Sequence, residues 1–473
     1  MFRGILDNVL SGMKAGFKAI LNLEHLFERN KMDNQTSRST IVIFCKKTLL
    51  LISSVLLAYG LGVTPVLAQE KVLEMWISSN NSEWSEALVE EFNKEGHGFT
   101  MKLTIIPVGD FRTKLGIAAA SGTMPDITTI DASRAAKFIV EGHFLDLTDK
   151  INALPYKDAL IQADLDMGTY PWPGGRLHQL PYWLAVSHLV LNKDLFRKAG
   201  LDPEKCPRDN SEMMEMIKKV SALGDDIYGY YYSGACNGCM IFTNWGPITW
   251  ASGGTFVNED STEATFLQPI HKRVAEFLRW AHVEGHVPAS AETDKGTGFL
   301  SVFNGGKIGM QGAGSFVMDG FLKAEKEGKI NFGVCPMPGI YGGKSSWIGG
   351  DGVVIPSTSK YPEEAWEYIT WVLSKETQMK HYAAKNHVPV RTDLWDPEVN
   401  PYFKKEPRLL QAAAGAGFGT VPWIVSHKDV LVAPDAPWAR MMPAAIFDGE
   451  MDFTEYQEEA NKILKKDWKY LKK

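Results

Sequence analysis

Apolar positions follow two different periods along this chain, and the periods alternate. From residue 72 onward, short runs of period two or of continuous apolar character are separated by stretches with apolar residues three and four apart. Val72 to Ser78 (VLEMWIS), Thr100 to Val108 (TMKLTIIPV) and Ile127 to Ile130 read as strands. Between and after them lie three helical stretches. One is capped by Ser82 or Ser85, with Trp84, Leu88 and Phe92 on one face; one runs from Phe111 to Ala120 behind Asp110; one runs from Ser133 to Glu141 and closes at Gly142. Strands alternating with helices predict an α/β fold with a mostly parallel sheet, and ligands of such sheets sit at the carboxyl ends of strands.

The middle of the chain opens with an apolar-aromatic run, Leu180 to Leu184, then an alternating segment, Ser187 to Asn192, and a short helix, Asp194 to Ala199, closed by Gly200. This stretch has the character of a passage from one lobe to another. Helices follow at Ser211 to Ala222 and His271 to Glu284, strands at Ile308 to Gln311 and Asn331 to Pro338, then a Gly-rich tract from Tyr341 into Val353-Val354-Ile355. The methionines at 213, 214 and 216 read as core. Helices at Pro362 to Leu373 and Ser374 to Ala384 and a basic last helix complete the pattern. The tract from Gly415 to Pro437 is loop-rich, and Trp423 and Trp438 in and beside it would overhang a cleft.

The amino-terminal part has a different logic. Lys46-Lys47 precede an apolar run, Thr48 to Val63, and Val66-Leu67-Ala68 offers a cleavage site before Gln69. Residues 46–68 therefore read as a secretory signal peptide, since the run is about 16 residues and a membrane span needs roughly 20. Cys45 precedes the run, so a lipoprotein cleavage pattern is absent and a soluble periplasmic product is expected. Residues 1–45 carry a helical stripe (Phe2, Ile5, Leu6, Val9, Leu10, Met13, Phe17), read as upstream sequence or discarded leader with translation starting at Met32 rather than as a membrane-surface helix.

Composition then narrows the function. The chain has 473 residues, long enough for two domains. Its net charge is −6; residues 1–68 hold 8 Lys/Arg against 4 Asp/Glu, which leaves 42 against 52 in the rest. A mildly acidic protein lacks the electrostatic footprint of nucleic-acid binding. Fourteen tryptophans favour stacking surfaces. The CxxC at Cys236 and Cys239 lacks the second ligand pair of a zinc site, and in an oxidising compartment a local disulfide is expected. Cys206 with Cys335 would complete the simplest of three pairings. The GGKS at 342–345 is no phosphate loop, because Pro338 stands where its first Gly belongs and a strand follows. No cofactor is expected.

Ser79 and Asn80 after the first strand, and Asp131 after the third, fall on the candidate rim, although each also suits a helix cap. Several segments carry a resemblance. LPYWLAVSHLVLNKDLFRKAGLDP (180–203), AAASGTMPDITTID (118–131), WGPITWASGG (245–254), FLSVFNGGKIGMQGAG (299–314) and VPVR (388–391) resemble, in order and spacing, the family 1 extracellular solute-binding proteins of ABC sugar importers, which are maltose-binding-protein-like. The resemblance runs from about Val72 to Asp396. It implies a two-lobed periplasmic binding protein fold of type II, with three crossings near 185, 350 and 392 and the ligand in the cleft. Lobe one would comprise 69–185 plus 350–392, and lobe two 186–349 plus 393–473.

The same resemblance places an aromatic near the crossing in the cleft, here Trp183, and one of Trp245 and Trp250 on a sugar ring, the alternative for each being core. It puts Trp347 and Asp351 on the cleft, lets backbone N–H groups after Gly314 reach a ligand, and leaves Arg391 between ligand contact and hinge brace. The implied function is capture of a sugar, oligosaccharide or polyol by a monomer and delivery to inner-membrane ABC permease subunits driven by a separate ATPase, with no chemical step. The rivals are a same-fold receptor for a glycerol phosphodiester or polyamine, and a secreted carbohydrate-active enzyme, for which no signature pairs two carboxylates.

Overall fold

Three parallel strands begin the sheet: β1 (Lys71–Ser78), β2 (Phe99–Ile106) and β3 (Ile127–Asp131). The computed structural model describes residues 71–471 apart from Trp172; the helical stripe near the amino terminus and the signal peptide at 46–68 lie outside the described residues. β1 pairs with β2 from Lys71↔Phe99 to Ser78↔Ile106 and with β3 on its other side. Alternate residues Leu73, Met75 and Ile77 are fully buried with Leu88 and Phe92 of the helix Ser82–Glu95. A second apolar cluster gathers Phe111 and Leu115 of the helix Val108–Ser121 with Ile106 and Ile130. Both faces of this half of the sheet are thereby covered, as parallel strands require.

A small hairpin, β4 (Thr169–Tyr170) and β5 (Arg176–Leu177), leads into β6 (Leu180–Asn192). The remaining strands are β7 (Tyr228–Tyr231), β8 (Ile308–Gly314), β9 (Phe332–Cys335), β10 (Met337–Pro338), β11 (Lys344–Val354) and β12 (Gly419–Thr420). The main strand order is β2-β1-β3-β11-β6-β8-β7. β6 joins the two halves. Its residues up to Val186 pair with β11, while those from Ser187 onward pair with β8 and β9. β11 runs back antiparallel between β3 and β6. At Gly350 (φ 114°) an added Cβ would lie 2.0 Å from the Trp183 carbonyl oxygen, so only glycine allows the strands to approach there.

The methionine stripe is core: Met213, Met216, Ile217 and Val220 of the helix Asn210–Ser221 are buried. Four local readings need correction. The second helix begins at Val108, not after Asp110, because the Ser79 hydroxyl accepts its first N–H (3.1 Å), and Asp110 lies in its first turn. The segment Val388 to Arg391, expected from the resemblance to be a third crossing in the form of a hinge strand, forms no strand; it makes a single bridge, Leu160↔Arg391. The helix expected from Ser374 to Ala384 is broken into a short α-helix at Lys375–Thr377, a π turn and a 3₁₀ turn. Trp438 belongs to the core rather than an overhang: it is fully buried at the start of the helix Pro437–Pro443.

Among the described residues two disulfides are present, Cys206–Cys335 and Cys236–Cys239. The first joins β9 to the loop before the helix Asn210–Ser221 across 129 residues of sequence. Closing so long a loop removes unfolded-state entropy worth about 4–5 kcal/mol in the chain-entropy account. The double variant Cys206→Ser/Cys335→Ser is expected to lose stability of that order in urea unfolding. An unchanged midpoint would show that the pair contributes nothing.

Candidate functional site

A cleft of about 540 Å³ opens where the halves of the sheet meet. Its floor is set by strand register. Asp131, at the end of β3, is paired with Asp351 on β11, and Asp351 is paired with Trp183 on β6, so the three side chains come from one row across three strands. The register of β6 and β11 shifts after Asp351, an irregularity that re-aims side chains. Asn80 reaches the cleft from the turn Ser79–Asn81 after β1, and Trp347 and Ala185 line it from the crossing strands.

Charges cluster on one side. Asp131 accepts hydrogen bonds from the Ser133 N–H (3.1 Å) and hydroxyl (2.6 Å) and pairs with Arg134 at 3.1 Å. It is thus both helix cap and cleft residue. Burial pushes its carboxyl up, but Arg134, the Ser133 hydroxyl, His427 and Arg112 together outweigh this and hold it below the usual range. Arg112 and Ser78 line a side recess of about 100 Å³ that also touches Asn80, Asp131, Trp183 and Asp351. The Ser78 hydroxyl, Arg112 Nη1 and Trp183 Nε1 are buried without a protein hydrogen-bond partner, as are both ring nitrogens of His427. His427 is 3 % exposed and burial pushes its imidazole down to about 4, so the ring is neutral at pH 7. Buried polar groups are normally paired. Orphans converging on one cleft mark groups that await a ligand or water.

The other side is aromatic and aliphatic. Phe242, Phe299 and Phe316 line it, with ring centroids 5.8 Å apart for Phe242 and Phe316 and 6.5 Å for Phe299 and Phe316. Trp183 meets Phe316 edge-on at 6.5 Å, and Trp347 stands 6.1 Å from Phe242. The Cys236–Cys239 disulfide also lines the cleft, closely backed by Gly296.

Of the residues expected at the site, Asn80, Asp131, Trp183, Trp347 and Asp351 are brought together. The others are elsewhere. Ser79 holds Val108 instead of lining the cleft. Trp245 is fully buried; its Nε1 donates to His271 (3.0 Å) and its ring meets Trp438. Trp250 does not line the cleft but stands behind Trp347, with centroids 5.4 Å apart. Gly314 lies behind the ring of Phe316, and the next residue, Ser315, turns its hydroxyl to the backbone of β6. Arg391 is 8 % exposed and lies in a separate recess with Tyr156, bound to Asp393 and to the Leu373 carbonyl, which makes it a brace.

Sequence reasoning did not reach Arg112, Arg134, Phe242 or His427, and reached Phe316 only as backbone opening a helix at the cleft. Arg134 had a signal, standing three residues after Asp131 on the same turn. Phe316 stood next to an identified segment. His427 and Phe242 come from irregular or π-helical backbone and had none.

These features define a class, a two-lobed binding protein with a cleft between its halves. Comparison with known proteins agrees. The profile described as bacterial extracellular solute-binding protein matches residues 78–379, so the chain belongs to that family. A putative binding protein of Brucella abortus is 23% identical over 317 residues, covering 67% of this chain and 74% of that protein. An arabinooligosaccharide-binding protein of Bacillus subtilis is 21% identical over 317 residues, covering 65% and 70%. The crystal structure of an ABC transporter solute-binding protein from Thermotoga lettingae, bound with alpha-D-tagatose, superimposes with a TM-score of 0.71 at 20% identity, covering 84% of this chain and 99% of that one. The likeness shows the two-lobed periplasmic binding protein fold. No helix among the described residues is long and apolar enough to cross a membrane.

Behind the floor, Asp164 is fully buried; its Oδ1 accepts from Gln179 Nε2 (3.1 Å), while its Oδ2 and Gln179 Oε1 are unpartnered. Burial pushes this carboxyl up to about 8, the Gln179 amide opposing and the nearby charge of Asp351 adding. Between the ordinary value of 3.8 and about 8 the folded state holds a proton that the unfolded chain has lost, so stability falls as pH rises through that window. Asp164→Asn imitates the neutral, protonated form and keeps an oxygen to accept from Gln179 Nε2. It is expected to match the parent near pH 4 and exceed it in urea unfolding at pH 8. Identical differences at both pH values would show that Asp164 does not titrate in this way.

Proposed function

We propose that this chain is a periplasmic receptor that captures a carbohydrate and delivers it to an ABC permease. The observation that carries this reading is the Asp131–Asp351–Trp183 row, with carboxylates to accept from hydroxyls beside a tryptophan face. Sugar C–H faces pack on aromatic rings and hydroxyls need both donors and acceptors. Arg112, Trp183 Nε1, Asp131 and Asp351 supply both kinds around one cleft. Tagatose in the Thermotoga protein and the name of the Bacillus relative support the same class of ligand. Asn80, Asp131, Trp183, Trp347 and Asp351 are the proposed contacts, joined by Arg112, Arg134, Phe316 and His427.

In this reading the lobes are 69–185 plus 350–392 and 186–349 plus 393–473. They hinge along β6, β11 and the segment near Arg391, and closing over the ligand presents a surface to the permease. The protein acts as a monomer, is exported by the signal at 46–68 and performs no chemical step. A phosphodiester receptor is the second reading, favoured by Arg112 with its unpartnered Nη1; the two carboxylates beside it count against that.

A thermal-shift panel of mono- and oligosaccharides, polyols, glycerol phosphodiesters and polyamines tests the proposal. A ligand at about 1,000 times its Kd adds roughly 4 kcal/mol to the folded state. A sugar or polyol hit recovered unchanged is the expected result. A shift only with a phosphodiester or polyamine would overturn the ligand class, and a consumed sugar would overturn the receptor reading.

Two substitutions locate the site. Asp131→Asn keeps a capping oxygen but removes the charge, and is expected to weaken binding about tenfold to a hundredfold. Trp183→Ala is expected to weaken it by a similar factor through lost stacking. Titration calorimetry with the ligand found in the panel reads both. Unchanged affinity in either variant would remove that residue from the site.

A further inference from the structure

The two walls of the cleft differ in what they offer a polar ligand. On the side of β1 and β3, Arg112, Ser78 and Trp183 hold buried polar atoms without protein partners, beside the carboxylate of Asp131. His427, almost wholly buried against Trp347, adds two more unpartnered nitrogens. On the side of β8, Phe242, Phe299, Phe316, Leu300, Val317 and the Cys236–Cys239 disulfide form the wall.

Thr243, Ser315 and Asn237 near this second wall are engaged by the protein itself. Thr243 Oγ1 donates to the Cys239 carbonyl (2.8 Å) and accepts from Asn244 Nδ2 (2.7 Å). Ser315 Oγ accepts from the Val186 N–H (3.0 Å) and donates to the Leu184 carbonyl (3.3 Å). Asn237 Nδ2 reaches the Val432 carbonyl. Thr297 lies at the exposed lip. Meanwhile Phe316 remains 41 % exposed, an aromatic ring only partly covered by its neighbours Phe242, Phe299 and Trp183.

A hydroxyl pressed against such a wall loses its water and gains no partner, at a cost of roughly fivefold to a hundredfold in affinity. A ligand that turned a hydroxyl-bearing edge to this wall would therefore meet a penalty there, whereas a C–H face or an apolar group would not. An apolar group there would gain by removing Phe316 and its neighbours from water.

We infer that the cleft takes a glycosyl compound with one hydroxylated end and one apolar end, an aryl or alkyl glycoside. The sugar lies against Asp131, Arg112, Trp183 and Asp351, and the aglycone lies on the wall of Phe242, Phe316 and the disulfide. The inference rests on the carbohydrate reading and narrows it.

The test compares D-glucose, D-galactose, D-xylose and L-arabinose with their phenyl and butyl glycosides by titration calorimetry on the purified protein, with phenol and butanol as controls. The expected result is a phenyl or butyl glycoside bound on the order of tenfold or more tighter than its parent sugar. Phenol and butanol alone are expected to bind far more weakly than the glycoside. The ratio between glycoside and sugar should shrink severalfold in Phe316→Ala, and also in Phe242→Leu, which keeps apolar volume should the first variant not fold. A free sugar that binds as tightly as its glycosides overturns the inference and leaves the carbohydrate reading standing. If no sugar or glycoside in the panel binds, the inference falls, while the carbohydrate reading is decided separately by the oligosaccharides and polyols of the thermal-shift panel; if the apolar controls bind as well as the glycosides, the inference falls because the sugar end is not recognised.

Discussion

The close approach of β6 and β11 is the constraint on which the rest of the structure depends. β6 is the strand that pairs with both halves of the sheet, and β11 returns beside it. Gly350 permits the contact, since any side chain there would collide with the Trp183 carbonyl. That one contact fixes which residues stand in a row across the sheet. A slip of one residue would turn Asp351 away from Asp131 and Trp183, because side chains on a strand alternate between faces. The geometry of the cleft is therefore a consequence of backbone packing at the crossing.

Around this crossing the protein accepts electrostatic costs that an inert core would avoid. Two guanidiniums, Arg112 and Arg134, stand close enough to oppose each other's charge, and Asp131 offsets them. Asp164 is buried behind the floor, where burial holds its carboxyl well above the usual carboxylate range. Several polar atoms on the cleft have no protein partner. Such groups lower the stability of the empty protein and become favourable when a ligand satisfies them, which makes them signs of a binding site.

The second half of the chain supplies rigidity. Trp245, His271, Phe256 and Trp438 interlock as a buried aromatic cluster, and Trp250 transmits that packing to Trp347 at the cleft. The Cys236–Cys239 disulfide closes the turn that forms one lip, and Asp294 fixes the facing loop by accepting from the N–H of Gly296 (3.1 Å). The carboxyl-terminal helix reaches back to the first half, where the Tyr170 hydroxyl donates to the Tyr470 carbonyl (3.0 Å).

Local physics written in the sequence determined much of this. The apolar run from Val72 to Ser78 specifies a buried strand, and the methionine stripe at 213–220 specifies a helix against a core, because burial periodicity depends only on neighbouring residues. Asn80 and Asp131 were legible because ends of strands are where such folds place their sites, and Trp183, Trp347 and Asp351 because their segments resemble those of the solute-binding family. Which tryptophans face the cleft was not legible. Trp245 and Trp347 are both large and apolar, and only the packing of His271 and Trp438 makes the first a core residue and leaves the second on the cleft. His427, Arg112 and Phe242 arrive from segments far apart in the chain, so their meeting is a property of the tertiary structure alone: no local pattern encodes a distance between residues separated by hundreds of positions.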